Sequence, residues 1–424
     1  MDNAYRAYEA VREALAAGTA PGSIAGLERF LPDPGDADNA ALMERLLGTV
    51  FDADVLYDFL AEKFRDILAE AEEQGRARGG QLSWNAGFHG RAALVAHERT
   101  GEDRFLDLYA DLYQRALPLR DDALGAHDDY HGKVMTSWGV AGETAATNAG
   151  FGIWVSHVTH YGVMMQPATE LARRVLADPG LGRHKALADR IVADFDTGYR
   201  EFDYDLRHLP GTDEIWYWRP VKFLYEPTNH VHLIGEAMLN HHAVTGDALY
   251  AERIRSFIRT FEKSATVNKK GVVGWNYHPY FAQSGSRNNR RQKSELTWKA
   301  SHTIQFVYAA DRMGFAVDPD LLAAMTRTIR DHVLAGNDFA GNIHPRGSKP
   351  YLERFHKEGV TDHPKALTIT GYLAAAEADP TIRERVRRIV ATRRDMFPHG
   401  WLKPAERKAY SKGPLGYAHM LGRA

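Results

Sequence analysis

The sequence predicts an all-α protein, an (α/α) toroid built as an incomplete barrel of helical hairpins with long loops on one face. Three observations predict it. An apolar-periodic helix, a turn rich in Gly, Asp or Glu, and a second amphipathic helix recur along the chain. A hairpin of this kind cannot bury its apolar face alone, so neighbouring hairpins must stack. The turns inside the hairpins are short, whereas the connections between them run to about thirty residues, far beyond the usual ~4–6.

The hairpins follow in order. Ala92 to Thr100 turns at Gly101-Glu102-Asp103 into Phe105 to Leu117. Asn148 to Leu176 turns at Asp178-Pro179-Gly180 into Lys185 to Tyr199. His232 to Thr245 turns at Gly246-Asp247 into Leu249 to Phe261, and His302 to Met313 turns at Gly314 into Leu321 to Val333. Leu367 to Ala378 turns at Asp379-Pro380 into Ile382 to Arg393. Residues 1–80 are expected to add an N-terminal hairpin packed on the same single domain, 1–424. No Pro/Gly/Ser-rich linker divides the chain.

Composition narrows the function. A formal net charge of -2 over 424 residues gives no overall field for nucleic acid or an acidic membrane. An anionic partner therefore requires a local cluster. The absence of cysteine excludes disulfides, thiolate metal sites and a cysteine nucleophile. No apolar run is long enough to span a bilayer. Met1 to Arg6 lacks a signal-peptide core. The expected location is the cytoplasm, or the periplasm or exterior if a leader has been removed.

Long loops on a rigid scaffold are where function usually sits. The first residues of each expected inner helix are polar where a core helix should be apolar: Asn85 and His89, Asn148, Asn229-His230-Val231-His232, Trp298 and His302, then His363. In a ring these positions meet at the mouth of the axis. Ser264 to Ser301 carries Lys269, Lys270, Arg287, Arg290, Arg291, Lys293 and Lys299 against the single acid Glu295. Trp275, Tyr277, His278, Tyr280 and Trp298 are interleaved among them. The preceding loop adds Trp216, Tyr217, Trp218, Arg219 and Tyr225. Arginine pairs with carboxylates and aromatic rings stack on sugar faces, so the pattern suits a uronic-acid glycan. No nucleic-acid motif accompanies it.

Asn229-His230 at an inner helix, followed by Tyr277 or Tyr280 and by Arg287 or Arg291, resembles the uronic-acid polysaccharide lyases with a helical toroid fold, of the alginate and glucuronan type. The chain departs from their pattern in having Lys269 and Lys270, not arginine, shortly before the tyrosine. The resemblance implies β-elimination. Amide, imidazole or guanidinium donors offset the sugar carboxylate so that the proton at C5 becomes acidic. A Tyr or His removes it, and a Tyr protonates the departing O4. Asn229, His230, Arg287, Tyr277 and Tyr280 are the expected catalytic residues. His89, Asn148, Trp218, Arg219, Trp275, Arg291, Trp298 and His302 are the expected substrate-binding residues. A phenol of pKa about 10 needs nearby Arg or Lys charge to act as a base, so the basic loop is expected to depress the tyrosine.

Two alternatives stand beside this one. A glycoside hydrolase on the same ring would use two of the cleft-loop acids Asp128, Asp129, Glu143, Asp213, Glu214 and Glu226. A ring that holds an acidic glycan without cutting it would need neither chemistry. No cofactor is expected. His157 with His160, and His230 with His232, are the only spacings that suggest a cation, and they lack the third ligand of a known zinc motif. The expected partner is an anionic polysaccharide met by a monomer, with no nucleic acid and no membrane.

Overall fold

The computed structural model describes residues 53–74, 79–141, 153–219, 224–283, 295–335, 339–340, 343, 371–391 and 413–421. The helices are α1 (Ala53–Gln74), α2 (Gly79–Thr100), α3 (Asp103–Ala116), α4 (Val158–Ala177), α5 (Lys185–Glu201), α6 (Thr228–Thr245), α7 (Ala248–Ser264), α8 (Thr297–Arg312), α9 (Pro319–Thr328), α10 (Thr381–Ala391) and α11 (Gly413–Met420). A helical turn at 371–377 precedes α10. Packing alternates between two layers. Helix α2 packs on α4, α4 on α6, α6 on α8, and α11 returns to α2. Their partners α3, α5 and α7 lie outside α2, α4 and α6, and α1 covers α2 next to α11. The protein is an all-α (α/α) toroid, and α11 brings the end of the described chain against its first inner helix.

Sequence explains the layers. Helices α4 and α6 are buried around most of their circumference, as expected of a helix that is apolar on every side. Helices α3, α5 and α7 are amphipathic and bury one stripe. The hairpin turns use local chemistry. Gly246 closes α6 in the left-handed conformation at φ 68°, which glycine adopts without a Cβ penalty. Asp247 and Asp318 then cap the next helices by accepting from Leu249 N and Asp320 N.

The inner helices approach closely. A Cβ on Gly162 of α4 would stand 2.4 Å from Cγ1 of Ile234 in α6, and one on Gly235 would stand 2.5 Å from the Phe306 ring of α8. A mid-helix glycine is unfavourable by about 1 kcal/mol relative to alanine. Here it permits the helix spacing.

Two expectations change. The second hairpin's inner helix starts at Val158, not Asn148, because Trp154–Val155 pairs with Val140–Ala141 as an antiparallel ladder and His157 then caps the helix. The long connections also contain small sheets. They are β1 (His127–Asp128) with β2 (Lys133–Val134), β3 (Val140–Ala141) with β4 (Trp154–Val155), the meander β5–β6–β7 (Leu206–His208, Ile215–Arg219, Leu224–Tyr225), and β8 (Thr266–Val267) with β9 (Val273–Gly274). Of the expected N-terminal hairpin, only α1 and the start of α2 fall within the described residues.

One loop is braced by a buried imidazole. His131 is held between Asp128, 3.0 Å from Nδ1, and Asp205, 3.1 Å from Nε2. Burial alone would lower its pKa, but the two carboxylates outweigh this and raise it to about 9. Asp128 shifts downward, with burial opposed and overcome by His131.

Two outcomes follow for stability. Gly162→Ala should destabilise the protein by about 1–3 kcal/mol through overpacking, read as a lower denaturant midpoint; an unchanged midpoint would mean α4 and α6 can separate freely. His131 contributes stability fully below its unfolded pKa near 6.5, and that contribution is lost as pH rises through about 9. Thermal unfolding temperature should therefore fall across this window, and Asp205→Asn should move the fall to lower pH. A flat profile in both proteins would remove the brace.

Candidate active site at the ring mouth

The N-terminal halves of the inner helices meet at one end of the axis. Trp84 and Phe88 come from α2, His160 from α4, Asn229 and His230 from α6, and Trp298, Lys299 and His302 from α8. Trp84 stands edge-on to both His160 and His230, at 6.1 Å in each case. Phe88 stacks on His302 at 5.8 Å. Helix N-termini carry partial positive charge, so several of them together favour an anion.

Glu226 is the ionic centre. It is 0% exposed and sits just before α6. Oε1 lies 2.8 Å from His157 Nε2, and Oε2 lies 3.0 Å from His230 Nδ1. Arg219, at the end of β6, stands 3.9 Å away. Burial would raise the Glu226 pKa, but His157, His230 and Arg219 outweigh it and hold the carboxyl far below its usual range. The loop is fixed by backbone bonds: Glu226 N donates to Tyr217 O at 2.9 Å, and Trp216 Nε1 donates to Glu226 O at 2.8 Å.

Hydrogen bonding assigns the imidazole tautomers. His157 caps α4, with Nδ1 accepting from Thr159 N at 3.3 Å. Its proton therefore sits on Nε2, facing Glu226. His230 turns Nδ1 to Glu226, so that nitrogen carries the proton and Nε2 keeps a lone pair. Burial lowers the His230 pKa, Glu226 opposes this only in part, and the net value is about 4. His230 is thus neutral at neutral pH.

Tyr277 stands beside His230, with ring centroids 6.2 Å apart and planes nearly perpendicular. Its position is set from the helix: Thr228 N, at the start of α6, donates to Tyr277 O at 3.0 Å. Lys299 Nζ lies 3.9 Å above the Tyr277 ring. The expectation that basic neighbours depress this phenol is corrected. Burial dominates, Arg219 opposes it weakly, and the Tyr277 pKa rises. Tyr277 therefore keeps its proton at neutral pH.

Asn229 is 3% exposed, and its Oδ1 has no hydrogen-bond partner among the described residues. Glu295 is also buried, and its neighbour Trp275 donates an indole N–H to its carboxyl. Burial raises the Glu295 pKa to about 8, Trp275 and Lys299 notwithstanding.

The other sequence expectations divide. Tyr280 is separated from this group: its hydroxyl bonds Glu214 Oε2 at 3.2 Å, and Glu214 faces Thr260 and Lys263 of the outer helix α7. Trp275 is 3% exposed and packs edge-on against Phe261, so it is a core residue and not a sugar platform. Trp216 and Tyr217 are likewise buried. Trp218 and Arg219 are half-buried at the end of β6. His89 is buried with Nδ1 2.7 Å from Asn85 O of its own helix. Asn148, Arg287, Arg291 and His363 lie outside the described residues.

Sequence reasoning missed three roles. Glu226 was weighed only as one of several acids, although its place four residues before His230 gives an i,i+4 contact. Trp84 carries no local signal beyond its place one residue before Asn85. Lys299 was legible as charge but not as the partner of Tyr277. No group of three or more His, Asp or Glu among the described residues could hold a metal ion.

No protein-family model and no curated protein matches the chain. Among solved structures, it is similar to an inactive variant of a Salegentibacter alpha-1,6-mannanase in complex with alpha-1,6-mannotriose, at 11% identity over 87% of this chain and 99% of that one, with a TM-score of 0.48. It is also similar to a family 88 glycosyl hydrolase from Bacteroides vulgatus, at 12% identity over 85% of this chain and 98% of that one, with a TM-score of 0.48.

The His230 tautomer and charge can be read directly. Its ring protons should titrate near pH 4 by NMR, and Glu226→Gln should lower that value further, because the carboxylate is what raises it. A midpoint near the ordinary histidine value of about 6.5 would show the ring to be solvated and unpaired.

Proposed function

We propose that the chain is an enzyme acting on an anionic polysaccharide at the ring mouth, and that it is a polysaccharide lyase opening a uronic-acid polymer of the glucuronan or alginate class by β-elimination. The observation that carries this reading is the neutral imidazole of His230 beside the protonated phenol of Tyr277. β-Elimination needs one group to take a proton and another to give one.

In this reading Arg219, Lys299 and the Asn229 amide meet the uronate carboxylate. Their charge stabilises the enediolate that forms when the C5 proton leaves. His230 Nε2 takes that proton, and Glu226 stabilises the imidazolium through Nδ1–H, as a carboxylate does in a catalytic triad. The C5 electron pair forms the C4–C5 double bond, and the C4–O4 bond breaks. Tyr277 gives its proton to O4, which leaves as a hydroxyl. Solvent returns the proton from His230 to the Tyr277 phenolate. Arg287, outside the described residues, remains the candidate for the carboxylate that the sequence offers.

A second reading rests on the two buried carboxyls. Glu226 is held ionised and Glu295 is pushed up to about 8, and both act electrostatically on Tyr277. Two carboxyls with opposed shifts are what a glycoside hydrolase uses as base and acid. Glu295 would then protonate the glycosidic oxygen, and Glu226 would activate water. A ring that binds an acidic glycan without cleaving it is the non-enzymatic form of the proposal.

A panel of glucuronan, alginate and neutral glycans separates the three. The lyase releases products with a conjugated double bond that absorbs in the ultraviolet. The hydrolase releases reducing ends without that absorbance, and the binding ring releases neither. His230→Gln and Tyr277→Phe should each lower the lyase rate by at least about a hundredfold, while Tyr280→Phe should leave it near wild type. Full activity in Tyr277→Phe would sink the lyase mechanism.

A further inference from the structure

The end of the axis opposite His230 holds a cavity of about 500 Å³. It is lined from the middle and C-terminal parts of α2, α4, α6 and α8, together with residues of the 371–377 turn, α10 and α11. Five arginines and four glutamates are among the lining residues. Two of those acids are already engaged, since Arg174 pairs with Glu98 at 2.8 Å and with Glu170. Among the described lining residues the balance is therefore positive, with Arg312 standing 3.8 Å from Glu377.

Its inner wall is polar and incompletely satisfied. Arg91 is 3% exposed; it bonds Gln305 through Nη2 and stands 3.7 Å from Glu236, yet its buried Nη1 has no hydrogen-bond partner among the described residues. Gln166 is 2% exposed and its Oε1 is also unpartnered there. Unmet donors and acceptors this deep are unfavourable unless something bonds them. Nearer the opening, Arg173 gives Nε to Asn240 at 2.9 Å, and Arg312 gives Nη1 to Ala374 O at 3.2 Å. A guanidinium has five N–H donors in a planar fork, which suits two oxygens of one oxyanion.

We propose that this cavity is a second binding site, distinct from the mouth, for a small ligand carrying an oxyanion group, either carboxylate or phosphate. Arg173 and Arg312 receive the oxyanion, and Arg91 Nη1 and Gln166 Oε1 bond the ligand's polar interior end. The volume fits a ligand of a few rings or fewer, within the roughly 300–1,000 Å³ of small-molecule sites. The inference does not depend on the reaction at the mouth.

Calorimetric titration tests it on the full chain with inorganic phosphate, with glucuronate and with glucose. Phosphate or glucuronate should bind with one-to-one stoichiometry at this site, and glucose should not. The double variant Arg173→Ala/Arg312→Ala should weaken that binding at least tenfold, whereas His230→Gln should leave it unchanged. Comparing the two anions tells a phosphate site from a carboxylate site. The proposal fails if neither anion binds, if glucose binds as well as they do, or if the double variant binds as tightly as wild type. Loss of binding in His230→Gln would move the ligand to the mouth and also overturn it.

Discussion

The mouth of the ring depends on one buried carboxylate. Taking an ionised glutamate out of water is unfavourable by several kcal/mol, and it persists only where charged or hydrogen-bonding partners replace the solvent. Glu226 has three, each from a different element: His157 from the cap of α4, His230 from the first turn of α6, and Arg219 from the end of β6. The same contacts that hold the charge therefore hold two inner helices and a loop strand in register. Geometry and electrostatics at the mouth are one arrangement, and neither exists without the other.

That arrangement decides which protons are available. Burial acts in opposite directions on acids and bases, keeping His230 neutral and Tyr277 protonated. The mouth thus presents a lone pair and a phenol proton side by side at neutral pH. Around them stand Arg219 and Lys299, and among the described residues Glu226 is held ionised while Glu295 is pushed up to about 8.

The fold was legible because it is written in repetition. Helix pairs with Gly or Asp turns, such as Gly246-Asp247, fix both the hairpin and its chain reversal locally. The candidate site was legible where the signal was also local: Asn229-His230 opens a helix, and its polarity contradicts the apolar run that follows. What could not be read was burial. Trp275 and Trp216 look like loop aromatics, but their indoles donate inward, to Glu295 and to Glu226 O, and composition does not distinguish a ring that packs a loop from one that faces sugar. The Tyr277 shift was misjudged for the same reason. Counting basic residues in the loop estimates Coulomb terms, whereas desolvation depends on contacts that only the folded chain supplies.

The two ends of the axis differ in ways that helix dipoles explain only partly. C-terminal ends carry partial negative charge, and arginines in the last turns of α4 and α8 offset it. Arg312 is such a residue. Arg91 is not, since it lies well inside α2, whose last turn holds His97 and Arg99. Nor does Glu236 account for it fully, because that acid is pushed up to about 7 and is only partly charged at neutral pH. A guanidinium placed deep on the axis, with one amino group unpartnered among the described residues and a weakly ionised acid beside it, retains attraction for the negative group proposed for the cavity.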